Sequence, residues 1–72
     1  MTFFQVIARL KNGEYLFHLG QPRTDEQEIA MRLAREFAEK PKWSRKGYYA
    51  VILDPDGRII FDTRIDLAAG KA

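Results

Sequence analysis

The sequence predicts an α+β fold ordered β-β-α-β-β, an antiparallel sheet of about four strands with one helix packed on one face. Three observations predict it. Asn12-Gly13 and Asp54-Pro55-Asp56-Gly57 are turn signals, and each joins two short apolar-rich segments in the manner of a β-hairpin. Between the two hairpins lies one stretch in which apolar residues recur three and four apart, the period of an amphipathic helix. A lone helix of this kind buries its stripe most simply against a sheet.

Residues 2–10, TFFQVIARL, place Phe4, Val6, Ala8 and Leu10 on one face and Phe3, Gln5, Ile7 and Arg9 on the other, because strand side chains alternate. The first set is the expected core face. Asn12-Gly13 tolerates positive φ at both central turn positions. The return strand, Glu14 to Leu19, puts Tyr15, Phe17 and Leu19 on one side and Leu16 and His18 on the other.

Gly20-Gln21-Pro22-Arg23 breaks the strand, and Thr24-Asp25-Glu26-Gln27 has the form of a capping box, with Thr24 capping the helix and Gln27 reaching back to it. Ile29, Ala30, Leu33, Ala34, Phe37 and Ala38 form the stripe. On the opposite side Glu28/Arg32, Arg32/Glu36, Arg35/Glu39 and Glu36/Lys40 are spaced i,i+4, each pair worth about 0.2–0.5 kcal/mol when exposed. Pro41 ends the helix, since it has no N–H and clashes with the preceding turn. Strands over residues 48–53 and 58–63 complete the second hairpin, the last extending briefly into residues 64–72 before a tail of about 67–72 frays.

Seventy-two residues make one small domain, 1–72, that buries only about 60% of the surface its unfolded chain exposes. Small chains commonly need a supplement. Without cysteine there is no disulfide or thiolate ligand, and one histidine, His18, cannot build a closed zinc site. Self-association is the supplement left. No apolar run reaches the length of a membrane span, and the N-terminal residues lack the pattern of a signal peptide, so a cytoplasmic protein with no membrane partner is expected.

Chemistry finds little support. Histidine is the side-chain type whose ordinary pKa lies near neutrality, and His18 is the sole one here; Ser44, the sole serine, is expected in a loop with nothing to match it to His18. Asp54 and Asp56 resemble the start of a calcium loop, but position 65 is isoleucine where a bidentate glutamate is required, and turn chemistry accounts for both aspartates. No glycine-rich phosphate cradle occurs. The expectation is a non-enzymatic chain with no catalytic residues, metal or cofactor.

Two surfaces stand out. A single helix covers one face of the sheet, and the other is expected to expose some of Phe3, Ile7, Leu16, Ala50, Ile52 and Ile60. The first reading is therefore a self-associating interaction module, a homodimer burying Phe3, Ile7, Leu16 and Ile52 with Arg9 and His18 at the rim. The second surface is KPKWSRKGYY, residues 40–49. The net charge of +2 divides into +4 from Lys40, Lys42, Arg45 and Lys46 and −2 from the remainder. Cations interleaved with Trp43, Tyr48 and Tyr49 suit single-stranded nucleic acid, phosphates on the charges and bases on the rings. The rival account makes the same stretch a wet connection, with Lys40 at the negative end of the helix dipole and Trp43 folded over the core. A third reading is a protein ligand or inhibitor that docks its acidic helix face or basic loop on a larger partner.

Overall fold

The structure, a computed structural model, describes residues 2–65; Met1 and residues 66–72, including the tail expected to fray, lie outside the described residues. Both hairpin turns form, and they share one geometry. Leu10 N–H donates to the Glu14 carbonyl at 2.8 Å and Gly13 N–H to Leu10 at 2.9 Å; Asp54 N–H donates to Arg58 at 2.8 Å and Gly57 N–H to Asp54 at 2.9 Å. Each loop closes with a glycine in the left-handed region, φ 94° at Gly13 and 88° at Gly57, and no other residue type has positive φ among the described residues. These are three-residue loops, a turn followed by a left-handed bulge glycine. Asn12 therefore does not take the positive φ expected of it, and its side chain instead accepts the Glu14 N–H at 3.1 Å.

In the second turn Asp54 Oδ1 accepts the backbone N–H groups of Asp56 at 3.0 Å and Arg58 at 2.8 Å. Asp54→Ala should cost on the order of 1 kcal/mol and lower Tm by roughly 4–8 °C, as expected for a domain of this size. Asp56→Ala, which removes no such acceptor, should stay within about 0.5 kcal/mol of the parent. Thermal melts showing equal losses would refute the role given to Asp54.

The turns join β1 (Gln5–Arg9) to β2 (Tyr15–Gly20) and β3 (Tyr49–Leu53) to β4 (Ile59–Asp62), with α1 (Gln27–Glu39) and a short α2 (Pro41–Ser44) between the hairpins. The sheet is antiparallel throughout, in the order β2-β1-β3-β4. The two central strands run in unbroken register from Gln5↔Leu53 to Arg9↔Tyr49. α1 lies chiefly across them. Ala8 pairs with Ala50, and both, like Ala30 and Ala34 of the helix, are fully buried. Four side chains of one carbon each let the helix approach the sheet closely, and Phe4, Val6, Phe37 and Ile52 fill the space around them. Burying a valine or isoleucine of this kind stabilises by about 1.5–3 kcal/mol.

Phe4, Val6 and Ala8 occupy the core face as expected. The return strand departs from strict alternation. Register shifts on either side of the Ile7↔His18 and Ala8↔Phe17 pairs introduce irregularities that turn Leu16, Phe17 and Leu19 all toward the helix-side core. His18 pairs with Ile7 and Tyr15 with Arg9, on the second face. Leu16 thus lies on the opposite face from the one alternation assigns, because a bulge adds a residue and inverts the phase beyond it.

The helix starts later than its capping box implies. Arg23 bridges Phe3 and Thr24 N–H donates to the Thr2 carbonyl at 2.8 Å, while Glu26 N–H donates to the Arg23 carbonyl at 2.8 Å, so Thr24 and Asp25 form a separate turn ahead of the helix. Glu26 becomes the N-cap without a side-chain cap bond. Arg23 is gripped by Asp25 at 2.9 Å and Glu26 at 3.8 Å, and the hydrogen bond to Asp25 raises its guanidinium pKa further. None of the four i,i+4 pairs on the outer face closes to an ion pair among the described residues, as is common for long exposed side chains. Pro41 does stop α1. Lys40 is extended, and the proline then serves as the first residue of α2, where its missing N–H costs nothing.

The strand β4 ends at Asp62, and residues 63–65 turn helical, so the last strand is not extended into residue 64 as expected. The second face of the sheet is not an open apolar surface either. Ile7, Tyr49 and Val51 are buried and pack with Leu53 into a second small cluster, while Asp62 is buried and paired with Arg64 at 3.0 Å. Arg64 also lies over the Tyr49 ring, its guanidinium carbon 3.7 Å from the centroid. No helix of the described residues is long and apolar enough to cross a membrane.

Candidate interaction surfaces

The face expected to carry a dimer contact is dispersed by the fold. Ile52 sits in the helix-side core at 1% exposure because its cross-strand partner is Val6, and partners in an antiparallel ladder share a face. Ile7 is buried within the chain, and Leu16 packs on the helix side. Only Phe3 and His18 of the set are exposed, with Arg9 half-buried. His18 is engaged: the Tyr15 hydroxyl meets its Nδ1 at 2.9 Å and its Nε2 lies 3.3 Å from the Gln5 amide oxygen. An amide oxygen only accepts, so Nε2 is the donor to Gln5, and the tautomer sets the direction of the bond between Nδ1 and the tyrosine hydroxyl. That network ties β1 to β2 and gives the histidine a structural role.

The basic stretch resolves into two kinds of residue. α2 folds Trp43 inward, where its ring stacks on Phe37 at 5.3 Å and 18° and on Tyr48 at 5.9 Å and 22°, and meets Phe17 edge-on at 5.8 Å. Tyr49, one residue beyond Tyr48 on the strand, points to the other face and is 3% exposed beneath Arg64. Tyr49 is thereby removed from the set of rings on which a base can lie, and Trp43, like Tyr48, is half-buried in the stack. The cations remain outside. Lys40, Lys42, Arg45 and Lys46 are exposed, with Lys42 Nζ 4.7 Å from the Trp43 centroid and Lys46 Nζ 5.6 Å from that of Tyr48.

A fifth cation joins them from the first hairpin. Gly47 turns the chain with φ +77°, and the stem of Lys11 lies across it so closely that a Cβ there would stand 3.2 Å from Lys11 Cγ and Cδ. Lys11, Leu10, Asn12 and Tyr48 line an open groove of about 530 Å³. Among the described residues none of these five cations forms an ion pair with a carboxylate. No spacing in the sequence ties Lys11 to Lys46; their meeting depends on where the two hairpin ends fall.

A second surface contains Ile60, exposed as expected, together with Ile59 and Ile65, which the sequence did not single out. β4 is an edge strand, and beside it Ile59, Ile60 and Ile65 are 51%, 44% and 65% exposed. The register shift between Ile52 and Leu53 places Ile60 at a bulge. A sequence signal existed, since Arg58-Ile59-Ile60-Phe61 carries three consecutive apolar residues that strict alternation cannot bury together.

Comparison of the chain with protein-family models, curated proteins and solved structures finds no match.

Proposed function

We propose that this chain is a small non-enzymatic interaction module that forms a homodimer along the outer edge of β4. The observation that carries the reading is the exposure of Ile59 and Ile60 on a strand that no other strand of the described residues covers. Edge strands present unpaired N–H and C=O groups, and a β-branched, apolar edge is the kind that pairs with another chain. A second copy presents the same apolar segment, Ile59-Ile60-Phe61, and antiparallel pairing about Ile60 sets Ile59 of each copy opposite Phe61 of the other. Such a two-fold contact is closed and self-complementary. The face contact built on Ile7 and Ile52 has lost its physical basis, since both are buried within one chain.

Light scattering coupled to size exclusion tests this. The parent should have twice the chain mass at high concentration, and Ile60→Lys should be a monomer with unchanged far-ultraviolet circular dichroism. A parent that stays monomeric over the whole concentration range refutes self-association. A dimer that survives Ile60→Lys refutes the edge.

A further inference from the structure

We infer that the groove between the first hairpin turn and the α2–β3 connection binds single-stranded nucleic acid, a property independent of the β4 edge. Its wall is formed by Leu10 and the half-buried ring of Tyr48. Its rim carries Lys11 from one hairpin and Lys46 from the other connection, with Lys40, Lys42 and Arg45 on the adjoining exposed turn. A ligand that matches both parts must bring repeated negative charge together with flat apolar surface. Unpaired nucleotides supply both, phosphate for the ammonium groups and a base for the tyrosine wall.

Two features favour this ligand over other anions. The cations are uncompensated among the described residues, so binding requires no internal ion pair to break. The adjacent apolar groups, Leu10, Trp43 and Tyr48, are half-buried and Trp43 stacks between Phe37 and Tyr48, so no fully exposed apolar side chain stands beside the lysines to insert into a lipid surface. Trp43 also supplies the signal, because Lys42 and Lys46 both lie over its ring and will move when they engage phosphate.

The probe is fluorescein-labelled single-stranded dT12 and rU12, followed by anisotropy and by Trp43 emission. With about four phosphates neutralised, raising salt from 50 to 200 mM should weaken binding roughly 50-fold, from a slope of about −0.7 per phosphate. Lys11→Gln/Lys46→Gln keeps the aliphatic stem over Gly47 and should cut that salt effect to roughly sevenfold by removing two contacts. Arg32→Gln/Arg35→Gln makes the same change in net charge on the outer face of α1 and should alter affinity less than twofold; melting curves confirm that both variants fold. Absence of binding at low salt overturns the inference, as does equal weakening by the two double variants. Inorganic polyphosphate or duplex DNA of equal charge binding as tightly as dT12 would also overturn it, since neither offers an unpaired base.

Discussion

Replacing Phe37 by alanine is expected to remove about 3–5 kcal/mol of stability, the usual cost of truncating a buried phenylalanine. At roughly 0.05–0.15 kcal/mol per residue, a chain of this length has about 4–11 kcal/mol in total. The variant should therefore be marginal or unfolded. Phe37 is 3% exposed at the point where α1, β2 and α2 meet, with Phe17 edge-on at 5.8 Å and Trp43 stacked at 5.3 Å. Aromatic pairs of this kind contribute about 0.5–1.5 kcal/mol beyond the area they bury. Loss of the ring removes the support of Trp43 together with the helix anchor, so Trp43 emission should shift to the red in the same step. Phe3→Ala, at a site 37% exposed, should lose far less. Urea titrations in which both variants have similar midpoints would contradict the central place given to Phe37.

Thr63→Val should be the second most damaging of these changes, at about 1–3 kcal/mol, although it alters neither volume nor shape much. The β3–β4 ladder ends at Val51↔Asp62, and one residue further the N–H of buried Ala50 is left to the Thr63 hydroxyl, which accepts it at 3.1 Å. A buried N–H without an acceptor retains its full desolvation cost. Thr63→Ser preserves the acceptor and should recover most of the loss. Chemical denaturation of the two variants separates hydrogen bonding from packing, and a serine variant as unstable as the valine one would show that the methyl group matters more.

Much of this architecture was legible residue by residue. Asn12-Gly13 and Asp54-Pro55-Asp56-Gly57 announced hairpins because left-handed glycines and Asx acceptors act within a few residues of chain. Pro41 announced the helix end for the same local reason. Thr24 misled, since its N–H was taken by Thr2 across the sheet rather than left for a cap. Leu16 misled because alternation assumes an unbroken ladder, and register shifts are decided by the partner strand.

The site was less legible than the fold. KPKWSRKGYY was visible as a charged aromatic stretch, yet which of its rings faced inward depended on Phe37 and Phe17, residues of other elements. Lys11 carried no sign at all of belonging with Lys46. The edge of β4 became a surface only once the order β2-β1-β3-β4 put that strand outermost.

By itself the sequence determined the order of the four strands and α1, though not α2, the two turns, the apolar stripe of α1 from Ala30 to Phe37 though not Ile29, and its end at Pro41, all governed by backbone preferences and side-chain period within a short span. Tertiary structure alone decided the strand order, the faces of Leu16 and Ile52, the inward turn of Trp43 and the meeting of Lys11 with Gly47. These depend on contacts between residues far apart in the chain, and local propensity is blind to a partner it does not adjoin.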